Sequence, residues 1–135
     1  MSYASQKGYL GEKEVTEFLT NVFKQWGFKF MRIGGTERNK KIFAGDVVLD
    51  YRTDKEQNCV LRDYYIEVKK QGKPNVFADY EKAKDDAEYW NKKGAIMFVI
   101  KSEKGKFDNK KIVVLDWQIF AQLIKDLQYY YDPNK

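Results

Sequence analysis

Two residues in the segment Tyr65–Lys69 are spaced so that they can act together in catalysis. On a β-strand, side chains two positions apart share one face, so Glu67 and Lys69 are expected side by side. A second acidic residue, Asp46, opens the preceding apolar segment 21 positions earlier. If the two segments form an antiparallel hairpin, Asp46 comes close to Glu67, and Glu12 in the first helix could complete the outer part of the same site.

Two neighbouring carboxylates predict a site for Mg²⁺, a hard ion that prefers oxygen ligands and keeps waters and a substrate phosphate. Such an ion polarises a phosphate and lowers the pKa of a bound water. The ammonium group of Lys69 would position that water and offset the charge developing on the phosphate. The chemistry predicted is therefore phosphodiester hydrolysis. Taken singly, each residue has a plainer interpretation: a surface ion pair for Glu67 and Lys69, a strand-start residue for Asp46, and a solvated helix residue for Glu12.

The composition excludes several other classes of enzyme. The chain has 135 residues, no histidine and one cysteine. This rules out histidine general-base catalysis, Ser-His and Cys-His nucleophiles and most zinc enzymes. The net charge of +5 favours a polyanionic partner, with nucleic acid ahead of a membrane surface.

The length suits a single domain covering residues 1–135. No stretch approaches the roughly 20 apolar residues of a membrane span, and Met1–Gly11 lacks the apolar region of a secretory signal. We therefore expect a cytoplasmic protein with no membrane partner.

The hydrophobic pattern predicts an α/β fold with a mixed central sheet flanked by helices, in the order α-β-β-β-α-β-β-α. The second and third strands are expected to pair as an antiparallel hairpin. The predicted elements are a helix from Ser5 to Trp26 ended by Gly27; strands Phe28–Ile33, Asp46–Tyr51 and Val60–Lys69; a helix from an Asn75 cap to about Asn91, ended by Gly94; strands Ala95–Lys101 and Lys111–Leu115; and a helix from an Asp116 cap to about Tyr130.

The order of these residues resembles that of the PD-(D/E)xK nuclease superfamily and, more narrowly, the archaeal-type Holliday junction resolvases, which also occur in viruses of prokaryotes. The resemblance spans roughly Lys7 to Lys101. It rests on Lys7-Gly8 followed by Glu12, on Gly27-Phe28, Arg32 and Gly34-Gly35-Thr36, and on Gly45-Asp46-Val47-Val48 and Ile66-Glu67-Val68-Lys69. It implies a restriction-endonuclease-like fold and a Mg²⁺-dependent endonuclease, with Mn²⁺ as a substitute. It also implies a homodimer that cuts two opposed strands of a four-way DNA junction.

The resemblance also implies individual roles. The metal ligands would be Asp46, Glu67, the backbone carbonyl of Val68 and, in support, Glu12. Lys69 would be catalytic, and Thr36 would replace a serine in the loop that approaches the scissile phosphate. This chain departs from the family pattern in having Gly45 where proline is usual, threonine for that serine, and a longer, more charged insert at Arg52–Asp63.

A set of basic and polar residues is predicted to contact DNA. Gln71 is favoured because it shares the face of Glu67 and Lys69. The loop Arg32–Lys41 is predicted to be a phosphate-contacting arm, with an ordinary solvated loop as the alternative. The full set is Lys7, Arg32, Thr36, Arg38, Lys40, Lys41, Lys70, Gln71 and Lys73.

Other functions remain open. A related nuclease for restriction, repair or transposition would share the same centre. A non-catalytic DNA-binding module on a nuclease fold is possible, and a basic adaptor for an acidic protein has only the charge in its favour. The tail from Lys111 onward is predicted either to complete the sheet or to build the dimer contact, and Tyr129–Tyr131 either to pack on the domain or to contact a partner.

Overall fold

The computed structural model describes residues 3–33, 45–50, 59–103 and 109–131, and it describes side chains from residue 8 onward. This part of the chain contains both helices and strands. The α/β class predicted from the sequence is confirmed. Within these ranges the elements are α1 Tyr3–Val22, β1 Phe30–Arg32, β2 Val47–Leu49, β3 Tyr64–Gln71, α2 Val76–Tyr89, β4 Gly94–Lys101, β5 Lys110–Val114 and α3 Trp117–Tyr131. None of the helices in this part of the chain combines the length and the apolarity needed to cross a bilayer.

The described strands form two sheets, whereas the sequence analysis expected one central sheet. β1 and β2 make an antiparallel pair. The larger sheet has the order β3-β4-β5, with β4 parallel to β3 and antiparallel to β5. The predicted hairpin ladder between β2 and β3 is not formed in the described ranges. The two strands are joined instead by one backbone hydrogen bond, from the N–H of Asp46 to the carbonyl of Ile66 at 2.9 Å, because β2 is only three residues long and the chain turns at Gly45.

Two apolar layers cover the faces of the larger sheet. β4 is buried on both faces, as expected for a continuous apolar run at the centre of a sheet. One layer joins α1 to the face of β3 and β4 that carries Ile66 and Phe98. The other joins α2 to the face that carries Tyr65 and Met97. The alternation of side chains along β3 therefore decides which residues face which helix.

The end of the first helix differs from the prediction. α1 ends at Val22, and the last predicted turn is a separate 3₁₀ turn, Lys24–Trp26. Gly27 ends that turn with a left-handed φ of 78°, and its N–H donates to the Lys24 carbonyl at 3.0 Å. Gly27 therefore ends a helical segment as predicted, but that segment is a 3₁₀ turn and not the α-helix itself.

The end of α2 also differs from the prediction. Asn75 caps its start as predicted, accepting a hydrogen bond from the Ala78 N–H at 3.3 Å. The helix stops at Tyr89, and the left-handed residue that follows is Asn91, with a φ of 55°. Gly94 begins β4 instead of ending the helix. A Cβ atom at this position would collide with the side chain of Ile119, so a larger residue would force that side chain to shift.

α3 is fixed to the domain by a buried carboxylate. Its predicted cap, Asp116, accepts a hydrogen bond from the Ile119 N–H at 2.9 Å. Further along, Asp126 is buried and accepts hydrogen bonds at 2.8 Å from three donors. The donors are the hydroxyl of Tyr64, the ammonium group of Lys93 and the amide of Gln122. This network ties the helix to the start of β3 and to the turn before β4.

The C-terminal part of the chain completes the sheet, one of the two roles predicted for it. β5 lies at the edge beside β4, and Tyr131 packs on the domain. The Tyr131 ring stacks on Trp26 with 4.9 Å between centroids, and its hydroxyl accepts a hydrogen bond from the Val60 N–H at 3.2 Å.

Candidate active site

Two charged side chains of the candidate site project from the same face of β3. Ile66 and Val68 point toward α1 and belong to its apolar layer, which leaves Glu67 and Lys69 on the opposite face. The Lys69 ammonium lies 3.6 Å from the Glu67 carboxylate. The side chains of Lys69 and Glu67 are 29% and 14% exposed, so the pair is partly accessible to solvent. The prediction that Glu67 and Lys69 lie side by side on one face of a strand is confirmed.

Asp46 reaches the same strand from another part of the chain. Its N–H bonds to the Ile66 carbonyl at 2.9 Å, and its Oδ2 atom accepts a hydrogen bond from the Val68 N–H at 2.9 Å. The Asp46 carboxylate is therefore held against the backbone of β3 between Glu67 and Lys69. The predicted proximity of Asp46 and Glu67 is present, although no hairpin ladder produces it.

Gly45 makes this approach possible. Its φ is +97°, in the region that favours glycine. A Cβ atom there would lie 2.8 Å from the Ile66 carbonyl oxygen. Proline is locked near a φ of about −65° and cannot take this conformation. The departure from the proline that is usual in the nucleases whose motif order this chain resembles therefore fits the local backbone.

The carboxyl of Glu67 is strongly perturbed. Burial raises its pKa from 4.5 to about 8, and the neighbouring Asp46 acts in the same direction through its charge and a hydrogen bond. The ammonium of Lys69 opposes this shift. Two carboxylates this close cannot easily both be ionised, so the pair favours either a shared proton or a bound cation.

The donor set fits a magnesium ion. Mg²⁺ is commonly held by one or two carboxylates, with water and substrate phosphate completing an octahedron. Asp46 and Glu67 supply two such carboxylates, and their mutual repulsion favours a divalent ion between them. In the described ranges, no group of three acidic, cysteine or histidine side chains lies close enough together to hold a metal. The candidate side-chain ligands in these ranges are therefore Asp46 and Glu67.

Glu12 belongs to α1, which packs on the face of β3 opposite Glu67. It is buried on α1, 7% exposed, and forms an ion pair of 3.4 Å with Arg32. The Arg32 guanidinium also lies over the ring of Tyr9, 4.6 Å from its centroid. α1 approaches β3 so closely at Gly11 that a Cβ atom there would lie 3.0 Å from the Cβ of Lys70. The supporting metal role predicted for Glu12 stays a prediction.

The residues predicted to contact DNA do not all lie on one face of the protein. Lys70 points toward α1 and lies 3.8 Å from Glu14, on the face opposite Lys69. Gln71 is partly buried on the face of Lys69, and Lys73 is exposed in the following turn. Four of the residues lie outside the described ranges, and the Lys7 side chain is also outside what the structure describes. The four are Thr36, Arg38, Lys40 and Lys41.

Two neighbours of Glu67 were not recognised in the sequence. Tyr65 lies close to Glu67, and burial followed by the charge of Glu67 raises the pKa of the Tyr65 hydroxyl. Tyr65 lies two residues before Glu67 on the same strand, so the alternation rule could have found it. Asp86 on α2 also contributes to the raised pKa of Glu67. Its proximity depends on how α2 docks, and no local pattern reveals that.

Comparison with known protein families, with curated proteins and with solved structures found no match for this chain.

Proposed function

We propose that this protein is a Mg²⁺-dependent endodeoxyribonuclease with Asp46, Glu67 and Lys69 at its centre. The observation that carries the proposal is the hydrogen bond between the Asp46 carboxylate and the Val68 N–H. It fixes an acid from a separate segment on the strand that carries the Glu67–Lys69 pair. Phosphodiester hydrolysis needs a cation site beside a fixed positive group, and this arrangement supplies both without histidine.

The carboxylates of Asp46 and Glu67 would hold the metal, with the Val68 carbonyl as a further ligand. When bound, Mg²⁺ polarises the scissile phosphate and lowers the pKa of a coordinated water. The chain's own groups then have separate tasks. Glu67 and Asp46 would hold the ion, and the ammonium of Lys69 lies beside Glu67, where it can neutralise charge that develops on the phosphate.

The substrate is proposed from charge and from the family resemblance. The net charge of +5 favours a polyanion. The exposed Lys73 follows the strand that carries the centre, and Gln71 lies on its face, so both can meet a DNA backbone near the cutting site. The resemblance in motif order makes a four-way junction, cut by a homodimer, the preferred substrate. A linear duplex cut by a restriction or repair nuclease is the alternative.

The test is cleavage of labelled four-way junctions, linear duplexes and flaps in the presence of Mg²⁺. Wild type is compared with Asp46→Asn and with Asp85→Asn, which removes the same charge from an exposed site on α2. We expect paired nicks on junctions from wild type and Asp85→Asn, and a loss of at least about 100-fold in Asp46→Asn. Preference for a linear site would favour the alternative nuclease. If all three proteins bind DNA equally and none cuts it, the enzyme proposal is wrong and a binding module remains.

A further inference from the structure

The edge strand β5 exposes an apolar surface. Within the described residues it pairs with β4 alone, so its other side forms the edge of the sheet. Its central residues are apolar and half exposed, Ile112 at 53% and Val113 at 48%. An edge strand presents backbone donors and acceptors that can pair with a further strand, and exposed β-branched residues favour that pairing.

We propose that β5 pairs antiparallel with β5 of a second copy of this chain, about a twofold axis that passes beside Ile112. The two three-stranded sheets then become one six-stranded sheet. The occupant of this edge is therefore another molecule of the same protein.

The charges on the strand select this register. With the axis at Ile112, all five residues of β5 pair with five of the partner copy, so that Lys110 lies opposite Val114 and Lys111 opposite Val113. Moving the axis to Lys111 would place two lysines directly opposite one another, and like charges in that position are destabilising. Within its own chain the Lys111 ammonium is 2.7 Å from the carboxylate of Glu14, which offsets part of its charge beside the edge.

The surface next to β5 supplies the additional area that a dimer needs. A strand of five residues is only about 17 Å long, whereas specific interfaces bury about 800 Å² per partner. A groove of about 270 Å³ runs between α1 and β5, and Phe18 and Val113 are among its lining residues. Phe18 is 55% exposed, and on the same stripe of α1 Leu10 and Val22 are 50% and 46% exposed. Of these residues, Phe18 borders the strand through the groove and would be covered together with it.

The joined sheet would set the spacing of the two centres, a consequence that rests on the proposed nuclease function. A twofold axis between antiparallel strands runs perpendicular to the sheet, so both copies of Glu67 and Lys69 lie on the same face. Five strand spacings separate β3 from its copy, which is about 24 Å at about 4.8 Å each. One DNA molecule can therefore meet both centres, as paired cutting requires.

A second exposed apolar surface provides a matched control. On the outer side of α3, Trp117 is 92% exposed, Phe120 55% and Ile124 49%. A dimer built on this helix would leave the β5 edge open. Equivalent substitutions at Ile112 and Trp117 therefore distinguish the two surfaces.

Disulfide trapping tests the pairing directly. Two residues facing each other across antiparallel strands have Cα atoms about 4.5 or 5.5 Å apart, within disulfide range. The native Cys59 is fully buried and should not compete. Under a mild copper-catalysed oxidant, Ile112→Cys should form a covalent dimer on a non-reducing gel, and Trp117→Cys should not. Absence of the Ile112→Cys dimer, or equally fast cross-linking of Trp117→Cys, would overturn the proposal.

Sedimentation without DNA gives an independent test. Wild type and Trp117→Lys should sediment as dimers at micromolar concentration, while Ile112→Lys, which sets lysines opposite one another, should be monomeric with an unchanged circular dichroism spectrum. A monomeric wild type, or a dimeric Ile112→Lys, would contradict the proposal. Ile112→Lys should also nick single strands but lose paired cutting. If wild type associates through β5 and cuts no DNA, the proposed function fails while the interface stands.

Discussion

The Oδ2 atom of Asp46 accepts a hydrogen bond from the backbone N–H of Val68 at 2.9 Å. This bond ties Asp46 to β3, the strand on which Glu67 precedes Val68 and Lys69 follows it. Because the anchor is a backbone group, the carboxylate position depends on the path of β3 and not on a second flexible side chain. The centre is thus set by two backbone segments, and its parts can be tested separately.

The adjacent lysines Lys69 and Lys70 provide a matched pair of variants. Lys69 lies beside the Glu67 carboxylate, whereas Lys70 points to the other face, toward Glu14. We expect Lys69→Ala to lower the cleavage rate by about 100- to 1,000-fold while DNA affinity changes little, since it removes a group that stabilises developing charge. Lys70→Ala should keep most of the activity. Single-turnover cleavage on saturating DNA measures both, and equal losses would remove the special role of Lys69.

Gly45 should be a sensitive position for stability. Gly45→Ala places a Cβ atom 2.8 Å from the Ile66 carbonyl at a φ of +97°, so we expect a loss of about 1–3 kcal/mol in the free energy of unfolding. Gly8→Ala is the control, because a Cβ atom there meets nothing within 4 Å and alanine favours the helix by about 0.5–1 kcal/mol. Urea denaturation compares them. Similar stability for the two variants would show that the turn does not constrain Asp46.

The Asp126 network predicts a stability difference that depends on pH. Burial alone would raise the pKa of Asp126, but hydrogen bonds from Lys93 and two further donors outweigh it and hold the pKa below its usual 3.8. A lowered pKa in the folded state stabilises the protein above the unfolded value, and that stabilisation is lost as the pH falls through the folded pKa.

Asp126→Asn should therefore destabilise the protein by about 1–3 kcal/mol at pH 7, and by less near pH 3, below the unfolded pKa of 3.8. The exposed Asp85→Asn is the control for removal of a negative charge. Unfolding by urea at the two pH values measures the difference. A penalty for Asp126→Asn that is the same at both values would mean that the ion pair contributes nothing.

DNA binding should weaken steeply with salt, because lysine contacts with phosphates release counterions. Lys73 is exposed in the turn after β3, so Lys73→Ala should reduce the slope of log affinity against log salt concentration by about 1. Lys125→Ala, an exposed change on α3, should leave the slope as it is. Fluorescence anisotropy with a labelled junction at several salt concentrations gives both slopes, and a flat response from wild type would exclude recognition through phosphates.

The sequence was most informative where the structural rule is local. Alternation along a strand needs only neighbouring residues, and it placed Glu67 and Lys69 on one face correctly. The approach of Asp46 to that strand was predicted for the wrong reason, since a hairpin ladder was expected and a turn at Gly45 with one backbone bond is found. The start and end of an element depend on tertiary contacts. Gly94, for example, was expected to end α2, but it begins β4 and packs against Ile119.

Contacts that depend on how the helices dock on the sheet could not be predicted. Asp86 influences Glu67 only because α2 packs over that face of β3, and Asp126 meets Tyr64 only because α3 docks at the start of the strand. The hydrophobic pattern shows which face of a helix is apolar, but it does not show which strand that face will cover.

Divalent-ion binding tests the central claim most directly. Calorimetric titration with Mg²⁺, and with Mn²⁺ as a tighter probe, compares wild type with Glu67→Gln and Asp46→Asn, using Glu81→Gln on the exposed side of α2 as the control. We predict one ion per chain for wild type and Glu81→Gln, and a loss of at least about tenfold in affinity for each of the other two. Equal binding by all four proteins, or none by wild type, would contradict the assignment of Asp46 and Glu67 as the metal site.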